Sequence, residues 1–260
     1  MMQNSLQISC IQTTLIWEDA EQNLKQFEKH FAQLPKSTEL VILPEMFSTG
    51  FSMKTKKLAE KMDGPSFVWL KKQAAKINKI IVGSLIIKDQ EEHYNRLFVM
   101  FPDGNYAYYD KRHLFRMGNE HKHYSAGTKR LVFNYKNWRI CPLTCYDLRF
   151  PVWSRNQNDY DLLIYIANWP ESRRAVWKKL LPARAIENQV YVAGVNRIGK
   201  DGEGLRYAGD TVIINPRGET MVETKEHDQQ IIHAHLSLDE LNRFREKFPV
   251  ALDADEFKIL

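Results

Sequence analysis

Short apolar runs alternate with longer segments whose apolar residues return every three or four positions, and this pattern continues along most of the 260-residue chain. The first kind of run predicts a strand, the second a helix lying against a sheet. Residues 6–13 alternate with period two and predict a strand. Over 18–34, Ala20, Leu24, Phe27, Phe31 and Leu34 share one helical face. A short apolar strand at 39–43 runs into Pro44-Glu45. Pro65 opens a second helix over 65–78, since proline suits a first helical position. Strands follow at 80–87 and 94–101, and Asp103-Gly104 signals a hairpin into 105–109.

The same order returns in the second half. Strands are predicted at 138–144, 161–167, 190–196, 209–214, 219–223 and 230–236. A short helix fits 151–158, and a longer one fits 173–188, where Pro182 is expected to impose a kink or a boundary. Residues 215–218 form a turn. A closing helix covers 238–248, with Ser237 as its cap and Glu240 placed to complete a capping box. Each half thus supplies a sheet with helices on one outer face. Packing the two bare faces together gives an α/β fold, a four-layer α-β-β-α sandwich of two pseudo-equivalent halves. No Pro/Gly/Ser-rich linker divides them, so one domain is expected over 1–260. Residues 247–260 read as an irregular tail whose Phe248, Val250, Leu252 and Phe257 need a surface to cover. The loop 111–128 is long for a compact domain and reads as functional.

Composition narrows the classes. Apolar residues make up 43% and charged residues 27%, as in ordinary globular proteins. The net charge of +5 is scattered, and its densest cluster, Lys54-Thr55-Lys56-Lys57, lacks interleaved aromatics. It reads as a solvated face, so no nucleic-acid partner is expected. Three cysteines do not make a disulfide framework, and neither Cys141-x₃-Cys145 nor His121-x-His123 completes a metal site. No basic, apolar leader opens the chain and no run is long enough to span a bilayer. A reduced, cytoplasmic protein with no metal and no membrane partner is expected.

Three residues at strand ends carry chemistry together. Cys145 lies where the strand 138–144 gives way to a turn, a place that presents a side chain beside free backbone N–H groups. A lone cysteine in a strand is more often structural, a lone Glu45 is more often a loop or capping carboxylate, and a lone Lys111 is more often solvated. As a set they fit one reaction: a thiol that attacks, a carboxylate that takes its proton and a cation that favours ionisation and steadies an oxyanion.

Leu43-Pro44-Glu45-Met46-Phe47, Tyr109-Asp110-Lys111-Arg112-His113-Leu114-Phe115 and Leu143-Thr144-Cys145-Tyr146-Asp147-Leu148-Arg149-Phe150-Pro151 resemble the three ordered motifs of the nitrilase, or carbon–nitrogen hydrolase, superfamily. The resemblance covers nearly the whole chain and implies the α-β-β-α sandwich. It also implies Glu45 as general base, Lys111 as oxyanion-stabilising cation, Cys145 as nucleophile and the Tyr146 N–H as second oxyanion donor. Glu120 fits the family's auxiliary glutamate; orienting Lys111, orienting water and a plain loop salt bridge are all open to it. The stretches His113-Leu114-Phe115-Arg116-Met117, Ala167-Asn168-Trp169-Pro170, 183–189 and 253–257 resemble the bacterial omega-amidases. That likeness implies a small 2-oxo acid monoamide as substrate, no cofactor and a homodimer. Phe51, Arg116, Asn168 and Trp169 are candidates to line the substrate pocket, although filling core or loop space is the stronger reading of Phe51 and Trp169. A nitrilase of other specificity, or a binding protein that kept the fold, are the alternatives.

Overall fold

Residues 4–259 are described by the structure, a computed structural model of the chain; the first three residues of the expected N-terminal segment and the last residue of the tail lie outside them. The first half comprises β1 (Ser5–Gln12), α1 (Ala20–Phe31), β2 (Leu40–Ile42), α2 (Thr55–Leu58), α3 (Pro65–Ile77), β3 (Ile80–Asp89), β4 (Glu92–Met100) and β5 (Tyr106–Asp110). The second comprises β6 (Phe133–Tyr135), β7 (Trp138–Thr144), α4 (Pro151–Ser154), β8 (Leu162–Ile166), α5 (Arg174–Asn188), β9 (Tyr191–Val195), β10 (Ile198–Lys200), β11 (Arg206–Ala208), β12 (Val212–Ile214), β13 (Thr220–Glu223), β14 (Gln230–Ser237) and α6 (Leu238–Lys247).

Local signals set the helix ends. The Asp19 carboxylate accepts the Gln22 N–H at 3.0 Å and opens α1, satisfying a donor that the first turn cannot. Asn78, at φ +53°, closes α3 in the left-handed conformation that asparagine tolerates. Ser237 Oγ accepts the Glu240 N–H at 3.2 Å and opens α6. The helix over 174–188 runs unbroken through Pro182, so the expected boundary there is absent.

Two six-stranded sheets form, ordered β14-β1-β2-β3-β4-β5 and β13-β12-β9-β8-β7-β6. Within them β1, β2 and β3 run parallel, as do β7, β8 and β9. Strand β14 does not stay with its own half: it crosses to pair antiparallel with β1 over eight residues. The crossing covers the backbone edge of β1, which would otherwise face solvent unpaired.

Alternation along the strands assigns their faces. Val41, Leu43, Ile81, Phe98 and Met100 meet Phe27, Phe31, Phe67 and Leu70 of α1 and α3. Leu40, Ile42, Ile80, Val82, Leu97 and Val99 point the other way, into a core shared with Ile140, Leu162, Ile164 and Ala193 of the second sheet. On the far side, α5 packs closely on β9: a Cβ on Gly194 would come within 2.4 Å of Leu181 Cδ1. The layers are therefore helix, sheet, sheet, helix, with the loops that follow the parallel strands left free to carry a site.

Candidate active site

Glu45 follows β2 by three residues, Lys111 and Cys145 directly follow β5 and β7, and Asn168 lies two beyond β8. The fold brings them together. Lys111 Nζ lies 3.0 Å from Glu45 Oε1, 3.0 Å from Glu120 Oε1 and 2.9 Å from Glu120 Oε2. All three side chains are buried, so the ammonium has carboxylates on both flanks and little access to water. Asn95 Nδ2, on β4, donates to Glu45 Oε1 at 2.7 Å. The other oxygen, Oε2, accepts the Asn168 N–H at 2.8 Å, and Asn168 Nδ2 donates to the Glu45 carbonyl at 2.6 Å. The Glu45 carboxylate is thus gripped from both sheets, which fixes its direction. Glu120 Oε2 also accepts the Phe115 N–H at 2.6 Å, tying the long loop to the same cluster.

Cys145 begins a 3₁₀ turn (Cys145–Arg149) at φ +48°. Met46, the residue after Glu45, has φ +45°. A residue with a side chain pays about 1–3 kcal/mol for that conformation, and it persists only where surroundings enforce it. At Met46 the N–H donates to Ser84 Oγ at 2.8 Å. At the cysteine elbow the enforcing group is Asp147, which is fully buried. Its Oδ2 accepts the Thr144 N–H at 3.0 Å and the Tyr109 hydroxyl at 2.7 Å. From the helix side, Arg184 of α5 donates to the Leu148 carbonyl at 2.7 Å.

The charges decide the resting state. Burial, then the Glu45 carboxylate, push the Cys145 thiol well above its usual range, and Lys111 pulls the other way without prevailing. An ammonium beside the sulfur was expected to favour thiolate; one cation set against two carboxylates does not. Burial also opposes the Lys111 charge, but Glu120 and Glu45 outweigh it and hold the ammonium charged far above the lysine range. Burial raises Glu120 despite Lys111. A neutral thiol therefore faces a charged ammonium, and attack requires a proton acceptor.

Cys145, Lys111 and Tyr146 open onto a cavity of ≈ 420 Å³ walled by Phe51, Phe115, Trp169 and Tyr207. Phe51, Asn168 and Trp169 line it; Arg116 does not. The turn Arg116–Gly118 directs that side chain to solvent while Phe115, held by its N–H to Glu120, faces inward. Arg112 also turns away, donating to the Gly127 carbonyl at 3.1 Å. The arginines on the wall are instead Arg149 and Arg173. Asn95 and Asp147 were also unforeseen. Asn95 had a signal: it is a buried amide in a strand of Leu, Phe and Val, where an unpaired polar group is costly.

A twelve-stranded α-β-β-α sandwich with a buried Glu-Lys-Glu string beside a strained cysteine defines a thiol hydrolase of the nitrilase type. The carbon-nitrogen hydrolase family model matches residues 7–246, and the chain belongs to that family, whose enzymes cleave carbon–nitrogen bonds by hydrolysis. It is 46% identical to the omega-amidase YafV of Escherichia coli K12 over 98% of each chain. It is 33% identical to the 2-oxoglutaramate amidase of Bacillus subtilis over 94% of this chain and 95% of that one. Among solved structures it resembles XC1258 from Xanthomonas campestris, a CN-hydrolase superfamily protein with an arsenic adduct in the active site. That resemblance has 44% identity and a TM-score of 0.96, over 98% and 99% of the two chains.

Proposed function

We propose that this enzyme is an omega-amidase that hydrolyses the terminal amide of 2-oxoglutaramate or a close 2-oxo acid monoamide, with Cys145 as nucleophile. The observation that carries the reading is the buried Glu45–Lys111–Glu120 string beside the buried Cys145. Glu45 takes the thiol proton as sulfur bonds to the amide carbon. The carbonyl oxygen becomes an oxyanion held by the Lys111 ammonium and the Tyr146 N–H, since the first N–H groups of a helical turn have no acceptor within it. The carbon–nitrogen bond breaks as Glu45 returns the proton to nitrogen, releasing ammonia and leaving a thioester. Water then loses a proton to Glu45 as it attacks; the acid departs and Cys145 regains its proton. Glu120 acts through Lys111: both its oxygens lie within 3.0 Å of Nζ, which supports a positioning role over activation of water.

The size of the cavity supports a short substrate, and the relatives named above support its class. The test compares ammonia release from 2-oxoglutaramate, glutamine and a simple nitrile with cysteinylglycine release from deaminated glutathione. Preference for the first is expected; preference for the nitrile overturns the amidase reading, and preference for the larger amide overturns the substrate. Loss of turnover in Cys145→Ala is expected, and retention would remove the thioester.

The chain is read as acting as one domain and as a homodimer in the cytoplasm. Val152 on α4, Ile186 on α5 and Leu252 in the tail are exposed apolar side chains suited to a partner copy. Three free thiols suit a reducing compartment. Among the described residues no helix is long and apolar enough to cross a membrane. Sedimentation across a concentration series tests the dimer: a monomer throughout would remove it.

A further inference from the structure

Four basic residues of lysine or arginine type line the active-site cavity: Lys54, Lys111, Arg149 and Arg173. Two are already neutralised. Lys54 Nζ lies 3.0 Å from Glu18 Oε2, and Lys111 lies between Glu45 and Glu120. Arg149 and Arg173 differ. Among the described residues neither guanidinium has an ion-pair or hydrogen-bond partner; each rests only on an aromatic ring. Arg173 Cζ lies 5.0 Å from the Phe115 ring centre, and Arg149 Cζ lies 5.8 Å from that of Trp169.

The two rings belong to one wall. Trp169 Nε1 donates to the Arg173 carbonyl at 2.9 Å, and its N–H donates to Asn196 Oδ1 at 2.8 Å. Phe115 meets the Tyr146 ring edge to face at 5.1 Å, beside Cys145. Among the described residues the acids of the lining pair with neither guanidinium. Asp201 is occupied by the Tyr207 hydroxyl and the N–H groups of Glu203 and Leu205, and Glu203 is exposed on the turn between β10 and β11. Of the two arginines Arg173 is half-buried and Arg149 exposed. An ion contact is stronger where water is excluded, and a guanidinium fork matches a carboxylate in two parallel hydrogen bonds.

We infer that Arg173 is the specificity-determining residue that grips the free carboxylate of the substrate, with Arg149 a second, more exposed cation on the same wall. The inference rests on the omega-amidase reading above and deepens it: it explains why an acid amide, rather than a neutral amide of equal length, fits this cavity.

The experiment measures kcat and KM of wild type, Arg173→Gln and Arg173→Lys on 2-oxoglutaramate and on levulinamide, which replaces the carboxylate with a methyl group. Wild type should favour 2-oxoglutaramate. Arg173→Gln should raise KM for it about 10- to 100-fold, the range of a hydrogen bond to a charged group, and leave levulinamide turnover within about twofold. That neutral substrate also reports whether the variant is folded. Arg173→Lys should fall between, keeping charge without the fork. If wild type favours 2-oxoglutaramate and Arg173→Gln keeps that preference, Arg173 is not the carboxylate's partner and the functional reading stands. If wild type shows no preference, both fall.

Discussion

His113 and Asp147 are joined twice: Asp147 Oδ1 accepts the His113 backbone N–H at 3.0 Å and meets its Nδ1 at 2.8 Å. One carboxylate thereby ties the loop that carries Lys111 to the elbow that carries Cys145. Its second oxygen holds Thr144 and Tyr109, so every lone pair faces a donor. Asp147→Asn would turn an amide N–H₂ against these donors. We expect kcat to fall at least about tenfold with KM little changed, and stability to fall by about 1–3 kcal/mol. Steady-state kinetics and thermal melts check this; an unchanged kcat would show that the elbow holds without it.

Glu120 should matter through Lys111. Glu120→Gln keeps an oxygen near Nζ and the Phe115 N–H, whereas Glu120→Ala keeps neither. The alanine variant is expected to lose kcat about a hundredfold, as when a preorganised oxyanion donor is lost, and the glutamine variant distinctly less. Equal losses would point instead to Glu120 handling a proton.

Removing Glu45 should separate thiol ionisation from turnover. Burial and Glu45 together hold Cys145 up; with Glu45→Gln, Lys111 is less opposed. The thiol should therefore ionise at lower pH than in wild type, while amidase activity falls about a hundredfold or more for want of the proton carrier. Ultraviolet thiolate absorbance against pH reads the first change and ammonia release the second. A titration that stays put or moves up would contradict the charge balance.

Much of this is legible in the sequence, and the reason is period. The two-residue alternation in β1 and the Phe27–Phe31 stripe in α1 are local signals, and such signals located strands and helices to within a few residues. The Glu45, Lys111 and Cys145 set was legible because each lies at or just past a strand end. What escaped was non-local or short. The crossing of β14 depends on the bare edge of β1, far away in sequence. Strands β10 and β11 have three residues each, too few to show a period. Arg116 looked suitable because it sits in the right loop, but a 3₁₀ turn decides which of two adjacent side chains faces the cavity. Arg173, in the charged run after Trp169-Pro170, carries no mark of its own.

Asp161 should give the fold an acid-sensitive clasp. Although buried, it is held below the usual aspartate range by Arg139 and Arg245, at 2.7 Å from each. A carboxyl lowered on folding contributes stability above its ordinary range, and that contribution is lost as pH falls through the folded-state value. Asp161→Asn should cost about 2 kcal/mol near neutrality, with the gap from wild type narrowing in acid. Denaturant melts from pH 7 downward test it; a gap that widens would reverse the sign.

Cys141 behaves oppositely. Burial in β7 pushes its thiol from 9.0 up to about 12. A thiol raised on folding contributes fully below its ordinary value, and the contribution disappears as pH rises between 9.0 and about 12. Cys141→Val should therefore lose less thermal stability than wild type as pH climbs through that window. Parallel Tm curves would exclude the thiol as a source of alkaline weakness.

The hydrogen bond from the Asn168 N–H to Glu45 spans two sheets that share no backbone ladder with each other. Glu45 and Lys111 come with one sheet, Cys145 with the other. Neither half is a primitive enzyme awaiting improvement, because each holds an incomplete reaction. Turnover is a gauge of alignment across the interior: a slip between the layers too small to unfold the protein would part the base from the thiol and silence it.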